Sequence, residues 1–168
     1  MNVTIIGTGN MARGIGRRLI AGGHTVTVLG KETADAEAVV SDIGSDGEAR
    51  AGRSGDAIAD DVVVLAVYYP AAQALVEQYG GDLSGKVVVD ITNPVNESFD
   101  GLVTPPDSSA AQELAGTAPG ARVVKAFNTT LAGTLSEGRV AGQPLDVFIA
   151  GDDADAKATV AKLARDGG

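Results

Sequence analysis

Two glycines near the start of the chain could bind phosphate. They lie in the segment Gly7-Thr8-Gly9-Asn10-Met11-Ala12, which has the pattern G-x-G-x-x-A. In this pattern the first glycine permits a tight turn, the second lets the backbone approach a pyrophosphate, and the last small residue lets a helix pack closely. The start of that helix adds amide donors and a positive dipole. The segment predicts a dinucleotide-binding loop, and the alternative is a degenerate turn that binds nothing.

The end of the second apolar run bears on which dinucleotide would bind. An acidic residue there would bind the ribose 2′-hydroxyl and repel a 2′-phosphate, but the sequence reads Val28-Leu29-Gly30-Lys31. The cation Lys31 favours NADP(H), with Thr33 as a further contact. Glu32 could instead reach the same position, and Lys31 could be an ordinary solvated lysine.

Lys125 and Asn128 are the candidate catalytic residues, and Lys125 is the one that could transfer a proton. It lies near the end of an apolar run, three residues before Asn128, and could act as an acid or orient a substrate. A lysine that pairs with a neighbouring carboxylate such as Asp90 is an equally good interpretation. The Tyr-x-x-x-Lys pair of many carbonyl reductases is absent.

The remaining reactive side chains favour structural roles. The chain has no cysteine and a single histidine, which excludes disulfides and thiol chemistry. That histidine, His24, follows Gly22-Gly23 before the second apolar run and is predicted to be structural. Tyr68 and Tyr69 could stack on a cofactor ring or pack in the core. No cluster of His or acidic residues has metal-ligand spacing, so we expect no metal.

These residues lie between elements of one repeating type. Short β-branched runs alternate with alanine-rich stretches of helical length, which indicates βαβ units. The runs are almost continuously apolar, as is typical of parallel strands buried on both faces. We therefore predict a Rossmann-type α/β fold, a doubly wound, mainly parallel sheet between two helical layers, with strands over residues 2–6, 25–29, 62–67, 86–90, 122–126 and 146–150.

The helices and loops are predicted from periodicity and from Gly and Pro. Apolar spacing predicts helices over 11–21, 34–40 and 154–165. Residues 44–55 are expected to be mostly turn, with a short edge strand near Ala49. Residues 91–107 contain three prolines and are predicted to form an ordered loop that lines the ligand crevice.

The size and charge of the chain limit its class. A chain of 168 residues suits a single domain over 1–168, and the closing turn Asp166-Gly167-Gly168 suggests that a C-terminal extension is lacking. A net charge of −9 argues against nucleic-acid and anionic-membrane partners. Since no apolar run reaches the roughly 20 residues of a membrane span and no leader precedes the first strand, we expect a cytoplasmic protein.

Four segments resemble one family over nearly the whole chain. They are the glycine loop at residues 7–12, Ala66-Val67-Tyr68-Tyr69, Asp90-Ile91-Thr92-Asn93-Pro94, and the more distinctive Lys125-Ala126-Phe127-Asn128-Thr129. Together they resemble the NADP-dependent oxidoreductases of the deazaflavin coenzyme F-420 and the related reductase domains of metalloreductases. The resemblance implies hydride transfer between NADP(H) and F-420 or a flavin, and a homodimer by analogy.

The resemblance also implies a role for each segment. Thr8, Gly9, Asn10 and Met11 would contact the pyrophosphate and the adjoining ribose. Lys31 would lie where the family often has a Ser-Arg pair for the 2′-phosphate, although Gly30 replaces the serine and no second cation follows. Val67 and Tyr68 would flank the adenosine or ribose. The nicotinamide and the acceptor would be bordered by Asn93, Pro94, Ala126 and Asn128.

Two other functions are compatible with the sequence. Hydride transfer between stacked rings depends mostly on positioning and requires no acid or base, which suits this sequence. Alternatively, Lys125 would assist NADPH-dependent reduction of a small carbonyl or imine. The third possibility is a non-catalytic NADP(H) sensor, since fold alone does not determine function.

Overall fold

The computed structural model describes residues 1–44 and 47–168. Within them, seven strands form one sheet in the order β3-β2-β1-β4-β5-β6-β9. The strands are β1 (Asn2–Ile6), β2 (Thr25–Gly30), β3 (Ala49–Arg53), β4 (Val62–Leu65), β5 (Val87–Asp90), β6 (Arg122–Ala126) and β9 (Ile149–Ala150). All neighbours pair in parallel except β6 and β9. The predicted Rossmann-type α/β fold is confirmed.

Helices cover both faces of the sheet. They are α1 (Asn10–Ala21), α2 (Thr33–Ile43), α3 (Tyr69–Tyr79), α4 (Ala110–Thr117), α5 (Ala132–Glu137) and α6 (Ala154–Asp166). A short 3-10 helix (Gly80–Leu83) follows α3, and a small hairpin of β7 (Arg139–Val140) and β8 (Gln143–Pro144) follows α5. None of these helices is long and apolar enough to cross a membrane within the described part of the chain.

The strands are buried on both faces because alternate side chains point to opposite helical layers. Val3 and Ile5 of β1 pack with α1, α2, α5 and α6, whereas Ile6 packs with α3 and α4. The burial explains why the strands are continuously apolar. It also fixes their carboxyl ends at one edge, where the order reverses between β1 and β4. Ligands of open α/β sheets bind at such a reversal.

Several predicted boundaries differ from the structure by one to three residues, and the helix predicted over 34–40 extends to Ile43. The strand predicted over 62–67 ends at Leu65, so that Ala66 and Val67 belong to the following loop. The strand predicted over 86–90 begins at Val87. The strand predicted over 146–150 shrinks to Ile149–Ala150 and runs antiparallel to β6, with Lys125 opposite Ala150. The chain thus returns to the sheet without a crossover.

The less regular segments also follow the prediction. The edge strand near Ala49 is β3, and it lies at the edge of the sheet. Positions 45 and 46 of the turn predicted over 44–55 lie outside the described residues. Residues 91–107 form a loop. Among the residues described, its only β pairing is an antiparallel bridge between Val95 and Leu102.

Candidate functional site

The glycine loop joins β1 to α1 at the reversal point. Gly7 has φ of +129°, and a Cβ there would lie 2.2 Å from the Ala66 carbonyl oxygen, so only glycine fits. A Cβ on Gly9 would meet no atom within 4 Å. The backbone at Gly9 is therefore open to an approaching ligand. Gly9 caps α1 without a side-chain hydrogen bond, which leaves the first amides of that helix for an anion.

The other loop residues differ in exposure. Thr8 is half-buried, Asn10 is exposed at the start of α1, and Met11 is half-buried. Ala12 is fully buried and belongs to the core. Of the six predicted cofactor-binding residues of the loop, Ala12 therefore has a packing role, Met11 also packs partly against the core, and Gly9 and Asn10 are exposed.

Sequence reasoning overlooked Arg13, which lies in the first turn of α1, next to this loop. Its guanidinium donates to the Thr8 carbonyl and lies 3.2 Å from Asp42 of α2. The loop is thereby joined to the second helix. The only sequence signal for this role is a cation directly after the G-x-G-x-x-A pattern.

The tip of β2 carries the predicted 2′-phosphate residues. Gly30 is buried, while Lys31 and Thr33 are exposed, with Thr33 as the first residue of α2. A second cation lies at this tip. It belongs to another strand, so the residues that follow Lys31 in the sequence do not show it. Arg53, the last residue of β3, is the register partner of Gly30, and its Nε donates to the Lys31 carbonyl at 3.3 Å.

The loop after β4 faces the glycine loop. The Ala66 amide donates to the Ile6 carbonyl at 2.9 Å, which holds the two loops together. The two tyrosines were predicted either to stack on a cofactor ring or to pack in the core. Tyr68 is 88% exposed, whereas Tyr69 is buried among core residues. Burial, with the charges of Glu113 and Asp90, raises the pKa of Tyr69. Only Tyr68 is free to meet a ligand.

Two asparagines join the loops that follow β5 and β6. The Asn93 side chain donates to the Asn128 carbonyl at 3.0 Å, and the Asn128 side chain donates to Asn93 Oδ1 at 3.2 Å. Pro94 follows and is half-buried. Ala126 is fully buried, so that only its backbone could contact a ligand. The structure therefore brings together the two segments predicted to border the nicotinamide.

Lys125 is held by an ion pair. Its Nζ lies 2.8 Å from Oδ2 of Asp90, whose side chain is fully buried, and also donates to the Thr92 carbonyl. Asp90 accepts a further bond from the Thr92 amide at 2.8 Å. The interpretation of Lys125 as the partner of Asp90 is confirmed. The lysine still keeps 21% of its side chain exposed.

A cleft of about 740 Å³ adjoins this corner. Asn93, Pro94 and Asn128 form its border, Lys125 lies along it, and the start of α4 forms another wall. This volume is of the size that holds small molecules in proteins. At Asn93 and Asn128 the cleft reaches the edge of the sheet that carries the glycine loop, and it extends along β6 as far as Arg122 at the amino end of that strand.

His24 lies far from this edge, at the amino end of β2. It is buried, accepts a 2.9 Å hydrogen bond from the Met1 ammonium at Nδ1, and has its Nε2 3.2 Å from Asp166 at an angle that makes no hydrogen bond. Burial and the Met1 ammonium lower the pKa of His24. Its surroundings agree with the predicted structural role.

Comparison with known proteins agrees with this geometry. The sequence profile of the family described as NADP oxidoreductase, coenzyme F-420-dependent, matches residues 2–94. Metalloreductase STEAP3 of Rattus norvegicus is 32% identical over 97% of this chain and 31% of its own length. The F-420-dependent NADP reductase of Methanocaldococcus jannaschii is 30% identical over 62% of this chain and 48% of its own length.

Solved structures give the same result. A proposed F-420-dependent NADP reductase from Arthrobacter sp. FB24 superposes with a TM-score of 0.84 at 29% identity, over 99% of this chain and 80% of that one. The present chain spans about a third to a half of the two curated relatives. On the match to residues 2–94, more than half of the sequence, the chain belongs to the family of coenzyme F-420-dependent NADP oxidoreductases.

Proposed function

We propose that residues 1–168 form one nucleotide-binding domain that transfers a hydride between NADP(H) and a deazaflavin or flavin. The observation that carries the proposal is the shared border at Asn93 and Asn128. These residues line the cleft of about 740 Å³, and they follow β5 and β6, which lie in the sheet between β9 and the strand β1 that leads into the glycine loop. A nicotinamide on one side would meet a flavin-like ring on the other.

Each part of NADP(H) has a matching group of residues in this proposal. The pyrophosphate binds at residues 7–11, and the 2′-phosphate binds at the β2 tip formed by Gly30, Lys31 and Thr33. Ala66, Val67 and Tyr68 flank the adenosine or ribose. The nicotinamide lies against Asn93, Pro94, Asn128 and the Ala126 backbone. The open space above Gly9 supports this fit, because a pyrophosphate needs close contact with the backbone.

The chain's own residues act by positioning. The bound nicotinamide supplies or accepts the hydride, and the rate then depends on how the two rings are held. The Asn93–Asn128 pair fixes the wall where the rings meet. Lys125 is occupied by Asp90 and Thr92, so it supports the β5 and β6 ends. This chemistry requires no proton donor.

A second candidate reaction is supported by the position of Lys125, which lines the cleft and has 21% of its side chain exposed. In this reaction Lys125 orients a small carbonyl or imine for reduction by NADPH. The contact with Asp90 holds Nζ of Lys125 in place beside the cleft, where it could donate a hydrogen bond to a substrate. Lys125→Ala would then abolish reduction of the imine and leave NADPH affinity unchanged.

The proposed function is tested by binding followed by turnover. Purified protein is titrated with NADPH and NADH while nicotinamide fluorescence is followed, and F-420, free flavin or a cyclic imine is then added. The proposal expects tighter NADPH binding and oxidation of NADPH that requires F-420 or flavin. Oxidation with the imine alone would favour the second reaction. Binding without oxidation by any acceptor would indicate a sensor, and no binding would contradict the proposal.

A further inference from the structure

The strand β3 ends level with the tip of β2. Arg53 is the register partner of Gly30, and the Ser54 amide donates to the Gly30 carbonyl at 2.7 Å. An arginine from the neighbouring strand thus lies next to Lys31. The tip of β2 therefore has two cations, one of which comes from a part of the sequence 22 residues away from the other.

The backbone of Arg53 is fixed by a tight turn. Its amide donates to Asp56 Oδ2 at 2.7 Å, and the Asp56 amide donates back to the Arg53 carbonyl at 2.9 Å. Between them, the Gly55 amide donates to the Tyr79 hydroxyl at 2.8 Å. The guanidinium thus extends from a backbone position that does not depend on a ligand.

The Arg53 side chain has only weak partners. Its Nε donates to the Lys31 carbonyl at 3.3 Å, and its terminal nitrogen lies 3.7 Å from Glu32 Oε1. Both side chains of this ion pair are 63% exposed. An exposed pair at that distance contributes little. A phosphate, which arginine binds through two parallel hydrogen bonds, can therefore replace the carboxylate.

Gly30 leaves no room for another donor at the tip. A Cβ there would lie 2.6 Å from the Glu32 carbonyl oxygen and 3.0 Å from Thr8 Cγ2. A side chain at this position would have to displace backbone. A further donor for a bound anion must therefore come from a neighbouring element, and Arg53 is in that place.

We infer that Arg53 determines the specificity for NADP(H) by binding the 2′-phosphate together with Lys31, while Glu32 is its counter-ion when no nucleotide is bound. The inference rests on the proposed function, since it concerns the same nucleotide. It adds that Glu32 competes with the phosphate for one guanidinium. Binding of NADPH then exchanges one ion pair for a bidentate one, whereas NADH has no group that makes the exchange.

The test compares the dissociation constants of NADPH and NADH for four proteins: wild type, Arg53→Ala, Arg50→Ala and Glu32→Gln. Arg53→Ala should weaken NADPH binding by about 10- to 100-fold, the usual effect of losing a charged hydrogen bond, and leave NADH binding unchanged. Arg50 is the matched control: it is exposed on the same strand, three residues and about 10 Å away. Glu32→Gln should tighten NADPH binding.

The outcomes separate this inference from the proposed function. If the wild type binds NADPH but Arg53→Ala weakens it no more than Arg50→Ala does, the inference is wrong and the proposed function stands. Equal losses for NADPH and NADH also overturn it. If the wild type binds neither nucleotide, the proposed function itself fails and the inference falls with it. Arg53→Lys, which keeps the charge but loses the paired donors, should have an intermediate affinity.

Discussion

Asn93 and Asn128 exchange hydrogen bonds across the carboxyl ends of β5 and β6, at 3.0 and 3.2 Å. The pair connects two loops that are 35 residues apart in the sequence. The side-chain amide of each residue donates one hydrogen bond to an oxygen of the other. Both residues therefore set the relative position of the two loops. The central proposal places the reacting rings at this pair.

Removal of the Asn93 side chain should slow hydride transfer. Asn93→Ala loosens the wall without touching the glycine loop, and small misplacements of reacting groups cost up to about 100-fold in rate. We expect kcat to fall by about 10- to 100-fold and the dissociation constant for NADPH to rise by a smaller factor, because the pyrophosphate and 2′-phosphate contacts remain. Asn96→Ala is the control, since Asn96 bonds to Asp100 in the same loop. Equal kcat values for the two variants would contradict the role of Asn93.

Alanine at the two loop glycines should separate folding from binding. Gly7→Ala forces a Cβ onto the Ala66 carbonyl at positive φ, and we expect a loss of at least about 1–3 kcal/mol in the free energy of unfolding. Gly9→Ala adds a methyl group in open space, so it should keep the stability and weaken NADPH binding by about tenfold, or 1.4 kcal/mol. Denaturant unfolding and fluorescence titration measure the two effects. A Gly9→Ala protein with wild-type affinity would place the pyrophosphate elsewhere.

The Lys125–Asp90 ion pair should be worth more to stability than to nucleotide binding. Lys125→Met leaves the fully buried Asp90 carboxylate without its cation, which typically costs about 3–5 kcal/mol. The double variant Lys125→Met with Asp90→Asn should recover part of that loss, because the neutral amide can still accept from the Thr92 amide. Urea unfolding of four proteins, the wild type, Lys125→Met, Asp90→Asn and the double variant, tests this coupling. Additive effects of the two substitutions would show that the pair is not coupled.

Acidification should destabilise the protein through His24. Burial lowers the pKa of His24 in the folded chain, so the unfolded chain, with a pKa near 6.5, binds the proton first as the pH falls. The stability from neutral His24 is complete above about pH 6.5 and decreases below it, by at most about 1.4 kcal/mol per pH unit. Asp166 titrates lower, since the hydrogen bond from Lys162 lowers its pKa.

His24→Gln isolates this contribution. The difference in unfolding free energy between wild type and variant should shrink as the pH decreases from about 7.5 to about 5.5. A difference that stays constant over this interval would mean that His24 has the same pKa in both states.

Much of the fold could be predicted because local patterns determine it. The continuous apolar runs gave β1 and β6 their bounds, and the glycine spacing gave the turn between β1 and α1. The antiparallel return of β9 could not be predicted, because it depends on where the chain re-enters the sheet.

The parts of the candidate site that a single segment forms could be predicted from the sequence. The parts that two neighbouring strands form together could not. Lys31 follows directly from the end of β2, whereas Arg53 reaches the same tip only through the β2–β3 register. The difference between Tyr68 and Tyr69 was also hidden, since the first turn of α3 decides which tyrosine faces the core. Register and helix rotation are tertiary properties.

The most direct test of the central claim uses NADPH that carries deuterium at the transferable position of the nicotinamide ring. Each of the two C4 deuterated forms is mixed anaerobically with the protein and oxidised F-420, and the reduced product is analysed by mass spectrometry. Direct transfer between stacked rings predicts that one form, and only one, delivers its deuterium to the deazaflavin. Reduced F-420 without deuterium from either form would contradict the claim, as would a protein that reduces neither F-420 nor free flavin.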